Sequence, residues 1–384
     1  MKKGIVITLS VLSVLFGFTS CKKQIARGDV QRENIFSGTT SIAYAKGLEI
    51  EYHEDYSLVN ISQPWAGSSK TYSYVLAKKE AVLPDSLKNR QRIEVPVKDI
   101  VVTSTTHIPA LELLNEVGTL RGFPGLDYIS TPVVRQLINE GKVKELGSNE
   151  SLNTEQVIDL APGVVVAFAM DDSNKSLQTI AQSGIAVLYN GDWVEQTPLG
   201  KAEWIKLYGV LFDKREKAER LFTEIEEEYQ NALKLVNDIV VQPTVMSGVM
   251  YQDVWYMPGG GSWAGIYFKD AVSDYLWKDT EVTGSLALSF ESVFDKAKDA
   301  EYWINPGHYE TLAQLKEANP HYANFKSFQS GKVFSFAPTK GSTGGTVFYE
   351  LGPTRPDLVL KDLIYIFHPE VLPGYEPVFY KQLK

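Results

Sequence analysis

The spacing of apolar positions changes along the chain, and the changes divide it. Between Gly47 and Lys79 the segments LEIEYH and YSLVNIS alternate apolar with polar, and TYSYVLAKK follows the turn-prone PWAGSS. A period of two predicts short strands, here a small antiparallel extension. After Arg92 strands alternate with helices. DIVVTST (99–105) is apolar and β-branched, IPALELLNEV (108–117) has helical spacing, and GTLRGF reads as a strand. TPVVRQLINEG reads as a helix with Pro132 in its first turn, VKELG as a short strand, and NTEQVIDL as a helix ending before Pro162. VVVAFAM (164–170) is a buried strand, NKSLQTIAQSG a helix ending at Gly184, and IAVLYN the next strand. This alternation predicts a parallel α/β sheet, and ligands of such sheets sit beyond the carboxyl ends of the strands.

Two helices then interrupt the alternation. The first has Thr197 as N-cap with Pro198 at its first position. The second, 214–236, begins with Asp213 and Glu216 spaced as in a capping box. Ala218, Leu221, Phe222, Ile225, Tyr229, Ala232, Leu233 and Val236 give it an apolar stripe of helical period. At about 1.5 Å per residue it would span roughly 34 Å, enough to cross from one domain to another. A second alternating region follows: PTVMSGVM a strand, GSWAGIYFKDAV and SFESVFDKA helices, EYWIN a strand, TLAQLKEAN a helix, KVFSF a strand and RPDLVLKDLIYIFHP a closing helix. The expected fold is therefore two Rossmann-like α/β lobes joined by one long bridging helix, with a ligand cleft between them. The N-terminal lobe would occupy 41–196, including the β extension 47–79. The connecting helices would occupy 197–236 and the C-terminal lobe 237–384.

The beginning of the chain has a different grammar. Lys2 and Lys3 precede an uncharged, largely apolar stretch from Gly4 to Phe18, and Thr19 and Ser20 lead into Cys21, the sole cysteine among 384 residues. A basic start, a short apolar run and small residues describe a secretory signal. The segment resembles a bacterial lipoprotein signal, which implies removal of 1–20, lipid on Cys21 and a polar tether over 21–40. A plain secreted protein is the alternative. With no second cysteine, disulfide scaffolds and Cys-rich metal sites are excluded. The 47 Asp and Glu against 38 Lys and Arg argue against a nucleic-acid partner. Lys22, Lys23 and Gln24 carry no acidic cluster of the kind that resembles a surface-export tag, so the expected location is the periplasm of a Gram-negative bacterium.

The two lobes echo each other. In NTEQVIDLAPGVVVAF, Glu155, Val157, Asp159 and Ala161 precede a buried strand; in SFESVFDKAKDAEYWIN, Glu291, Val293, Asp295 and Ala297 do the same. An acid near a helix start is favoured by the helix dipole in any case. Together with the tether, the bridging helix and the closing helix RPDLVLKDLIYIFHPE, this unit resembles class III substrate-binding proteins of ABC importers. NTEQVIDLAPGVVVA is similar to that family's N-lobe segment but has Gly163 where Asp is usual. The resemblance covers roughly 93–370. It implies a monomer that carries an iron-siderophore complex, haem or a corrinoid such as cobalamin, and delivers it to a permease dimer with its ATPase. It also implies that Glu155 and Glu291 dock on permease arginines.

Candidate ligand contacts come from the turns after strands. On the N-lobe these are Ser104 to His107 (Thr105 and His107 foremost), Arg121 and Phe123, then Asp171, Asp192 and Trp193. On the C-lobe they are Trp255 and Tyr256, Trp263 after a glycine run, His308 and Tyr309, and Lys340 in TKGSTGG. Aromatic walls with a few polar groups suit bulky chelates, and Arg121 would meet an anionic edge. Direct metal binding is a rival, with His107 and His308 as converging ligands, although no H-x-x-x-H or H-E-x-x-H pair occurs. A lipid-anchored hydrolase is another, against which the chain lacks G-x-S-x-G. A surface receptor accessory for the same ligands would differ in location alone.

Overall fold

A computed structural model describes residues 42–384. The signal, Cys21 and the whole of the expected tether lie outside the described residues. The two α/β lobes expected from the sequence are present, each built on a five-stranded sheet.

In the N-lobe, strands Ile100–Val102, Leu120–Phe123, Lys144–Glu145, Val164–Ala167 and Val187–Tyr189 run parallel. Spatial order places Val164–Ala167 and Leu120–Phe123 on opposite sides of Ile100–Val102. The direction of winding therefore reverses at the first strand, which opens a crevice at its carboxyl end. The residues of Val164–Ala167 are buried throughout, as the unbroken apolar run requires of a strand covered on both faces. The β extension packs on this lobe. Leu48–Tyr52, Tyr56–Ser62 and Thr71–Lys78 are antiparallel, as expected, and Gln91–Val95 adds a fourth strand in parallel. Ile50, Val59, Leu76 and Ile93 join Ile100 and Val102 in one core.

In the C-lobe, Asp274–Tyr275, Thr244–Ser247, Tyr302–Ile304 and Val333–Ser335 are parallel, and Lys381–Gln382 closes the edge antiparallel. The segment PTVMSGVM, expected as one strand, is two. Gly248 has φ +77°, and a Cβ there would lie 1.9 Å from the Tyr256 carbonyl oxygen. The chain turns at that glycine, and Val249–Tyr251 enters a separate antiparallel sheet with Val254–Pro258 and Ser285–Leu288.

The bridging helix runs Arg215–Leu235. Its start differs from the expected capping box: Asp213 is left-handed at φ 52° and Lys214 takes the cap position without a side-chain bond. The apolar stripe divides between lobes. Ala218, Phe222 and Ile225 belong to the N-lobe core, whereas Tyr229, Ala232 and the following Val236 belong to the C-lobe core. Its ends are pinned further. Lys206 bridges Glu203 and Glu219 at 3.0 Å each, and the Tyr229 hydroxyl donates to Asp270 at 2.6 Å. Gly209 lies so close under the helix that a Cβ would meet Ala218 Cβ at 2.5 Å.

Candidate ligand cleft

The turns beyond the N-lobe strands face the C-lobe across a cleft of about 760 Å³. One wall is Thr103–Thr105, after Ile100–Val102. Ser104 Oγ accepts the Thr106 N–H at 3.3 Å and starts a tight turn. Thr103 Oγ1 accepts the Phe168 N–H at 2.9 Å, tying together the two turns that flank the winding reversal. The next wall is Phe123, Gly125 and Tyr128. Glu145 fixes that loop by accepting N–H groups of Gly125 at 2.8 Å, Leu126 at 2.9 Å and Gly147 at 3.0 Å. Burial works to raise the Glu145 pKa, but these backbone donors outweigh it and hold the carboxyl below its ordinary range. A short hairpin, Gly147–Ser148 against Ser151–Leu152, carries Asn149 and Glu150 at the rim.

The C-lobe answers with Gly344, Gly345, Thr346 and Tyr349. This loop sits hard against the N-lobe. A Cβ on Gly345 would lie 2.2 Å from the Tyr128 carbonyl oxygen, and one on Gly341 would lie 2.8 Å from Ser130 Cβ. Those glycines are where one backbone must approach another. Glu350, 2 % exposed, completes the contact by accepting the Ser130 N–H at 2.5 Å.

Beyond Tyr349, which borders both spaces, lies a side chamber of about 200 Å³. Trp263 and Tyr267 from helix Trp263–Asp270, with Phe348 and Trp193, form its aromatic walls. Asp192 and Lys201 supply its charge. Burial pushes the Asp192 carboxyl up, opposed by a hydrogen bond from Thr106 and by the Lys201 charge. Burial pushes Lys201 down, opposed by Asp192 and Glu195. Lys201 Nζ donates to the carbonyl oxygens of Asp192 at 3.1 Å and Trp193 at 2.9 Å.

The sequence candidates scatter. Thr105 and Phe123 line the main cleft, and Trp193 and Trp263 line the side chamber. His107 is fully buried against Tyr208, with no protein partner for either ring nitrogen, and does not reach the cleft. Burial drives its pKa down to about 3, so the ring is neutral. Arg121 sits at the amino end of its strand, the wrong end of the sheet. Its Nε donates to Asp99 at 2.5 Å and its Nη1 to the Gly118 carbonyl at 2.7 Å. Trp255 is a core residue stacked on Trp303, with Nε1 satisfied by the Ser247 carbonyl at 3.0 Å. Tyr256 is exposed on the three-stranded sheet, Tyr309 stacks on His308, and Lys340 pairs with Glu310. None of these three lines either space. Glu155 and Glu291 are exposed in the first turns of helices capped by Asn153 and Ser289. Tyr128, Asn149, Glu150, Lys201 and Tyr349 were not singled out in the sequence. The turn-rich GSNES after a strand was the available signal for Asn149 and Glu150.

Among the described residues no three metal-type side chains gather into a site. Residues 100–339 match the periplasmic binding protein family. An uncharacterized lipoprotein of Methanocaldococcus jannaschii is 28% identical over 375 residues, covering 91% of this chain and 86% of its own. A second uncharacterized lipoprotein of that organism is 23% identical, covering 99% of both chains. Among solved structures, a periplasmic heme binding protein from Pseudomonas aeruginosa gives a TM-score of 0.58 at 16% identity, over 75% of this chain and 98% of that one. A possible iron-binding periplasmic solute-binding protein from Staphylococcus epidermidis gives 0.56 at 17% identity, over 71% and 98%. At such identities the solved structures speak to fold alone. The family match spans the parallel strands of both sheets and the N-lobe wall of the cleft, and on that ground the chain belongs to the periplasmic binding protein family, whose members bind substrates and are not enzymes.

Proposed function

We propose that this protein is a lipid-anchored, extracytoplasmic solute-binding component of an ABC importer, and that it captures an iron-siderophore or related metal chelate between its lobes. The observation that carries this reading is the cleft of about 760 Å³ at the winding reversal, where family membership and physical expectation coincide. Its volume falls inside the range of about 300–1,000 Å³ typical of small-molecule sites. Its walls join aromatic faces (Phe123, Tyr128, Phe168, Tyr349) to hydroxyl and amide groups, which suits a broad chelate with polar edges. Lipid on Cys21 is supported by the sequence and by the lipoprotein relatives. Those relatives are archaeal, so a Gram-negative periplasm is one setting among several for the same topology. Glu155 and Glu291 are retained as the permease-docking pair, being exposed and placed alike on two lobes.

Haem and corrinoids are the alternative cargoes. Haem fits less well, because no His, Lys or Arg lines the main cleft to pair with its propionates. Tryptophan fluorescence titrated with ferric hydroxamate, ferric catecholate, haemin and cobalamin, with native mass spectrometry as a second readout, tests the reading. Saturable quenching by a ferric chelate is expected, and failure of all four to bind would remove the transport cargo assigned here.

A further inference from the structure

Tyr349 divides the interlobe space into unequal parts with different chemistry. The side chamber, at about 200 Å³, is too small to hold a chelate but large enough for one appendage of it. Its walls are aromatic faces: Trp193, Trp263, Tyr267 and Phe348. Aromatic faces attract cations, by roughly 0.5–2 kcal/mol where water is excluded. Lys201 already shows this, with Nζ 5.8 Å from the Trp263 ring centroid. Asp192 lines the same chamber, is 6 % exposed, and its Oδ1 has no protein hydrogen-bond partner. A buried carboxylate oxygen left unpaired is costly unless a ligand donor meets it.

The local charge points the same way. The groups that act electrostatically on one another here are Asp192, Glu195 and Lys201, two carboxylates against one ammonium. Lys201 spends hydrogen bonds on two backbone carbonyls, and Asp192 Oδ1 is left without a protein donor. The main cleft contributes no compensating cation. It has Glu150 at its rim and no Lys, Arg or His among its lining residues.

We propose that the side chamber is a recognition pocket for a cationic arm of the ligand, an ammonium held by Asp192 inside an aromatic cage, and that the cargo therefore carries no net negative charge. This rests on the cleft being the ligand site. It goes further by selecting an ammonium-armed, neutral or cationic chelate over anionic ones such as tris-catecholates or haem.

The test uses the full mature protein and two pairs of probes. The first pair is 2-phenylethylammonium against 2-phenylethanol, followed by tryptophan fluorescence, since Trp193 and Trp263 wall the chamber. The second pair is a ferric tris-hydroxamate with a primary ammonium arm against the same chelate with that arm acetylated. Each charged probe should bind roughly 10- to 100-fold tighter than its neutral partner, the span expected for a hydrogen bond to a charged group. Asp192→Asn should erase that preference, with thermal melting checking that it folds. Trp263→Leu, which leaves the carboxylate in place, should reduce it. Equal binding within each pair, or a preference untouched by Asp192→Asn, would overturn the proposal. If the phenylethylammonium preference holds while neither chelate binds, the arm pocket stands and the chelate reading of the function falls.

Discussion

The carboxylate of Glu350, carried by the C-lobe, accepts the backbone N–H of Thr131, in the N-lobe, at 2.9 Å. Thr131 precedes helix Pro132–Asn139, and its own hydroxyl does not cap that helix. The hydroxyl donates instead to the same carboxylate. One lobe thus supplies the cap for a helix of the other, beside the glycines that let the loop approach. Replacing Glu350 by Ala should cost roughly 2–3 kcal/mol in urea unfolding, because two buried N–H groups lose a charged acceptor. Wild-type stability in the variant would reduce the contact to a bystander.

His107 gives a pH dependence with a defined sign. Burial lowers its folded pKa from 6.5 to about 3. Above pH 6.5 neither folded nor unfolded ring is protonated, and the histidine has no effect on the slope. Below that, the unfolded chain takes up a proton that the native state refuses, so stability falls with pH by at most about 1.4 kcal/mol per unit until roughly pH 3. His107→Leu removes this contribution. At pH 5 the variant should resist urea better than wild type by about 2 kcal/mol relative to the difference at pH 7.5. An unchanged difference would show that the ring is protonated in the fold.

The alternating elements of both lobes were legible because hydrophobic period is a local property. Val164–Ala167 had to be a buried strand and Arg215–Leu235 a two-faced helix whatever surrounded them. What failed was direction. Trp193 and Trp255 are both expected in turns after strands, yet Trp193 edges the side chamber while Trp255 lies within strand Val254–Pro258, buried with its indole N–H satisfied. Arg121 was misplaced because its strand begins at Leu120, which puts the arginine at the amino end, beside Asp99. Glu350 meets Ser130 and Thr131 from more than 200 residues away, a pairing with no local signature.

Glu155 and Glu291 are exposed, and each occupies the second position of a capped helix. Exposed ion pairs contribute about 0.2–1 kcal/mol each, so two of them orient a transient complex more than they tighten it. The double variant Glu155→Ala, Glu291→Ala should keep ligand affinity within twofold and fold as wild type. Ligand-stimulated ATP hydrolysis by the reconstituted importer should be lost. Weakened ligand binding in that variant would place the acids in the cleft instead.

The bridging helix sets how far the lobes can move. Phe222 and Ile225 are locked in one core and Tyr229 and Ala232 in the other, one helical turn apart. Bending the helix between them would break backbone hydrogen bonds or expose one of these side chains, worth roughly 1.5–3 kcal/mol for Phe222 or Ile225 when buried. Closure on ligand should therefore be small, with ligand-free and ligand-bound scattering profiles nearly superimposable. Glu224 lies on the exposed face at this midpoint. Glu224→Gly should cost about 1 kcal/mol of stability through helix propensity alone, and it removes no core contact. If the helix is the restraint, that variant should scatter as a broader ensemble without ligand and contract visibly on binding. A large contraction already present in the wild type would mean the lobes hinge elsewhere.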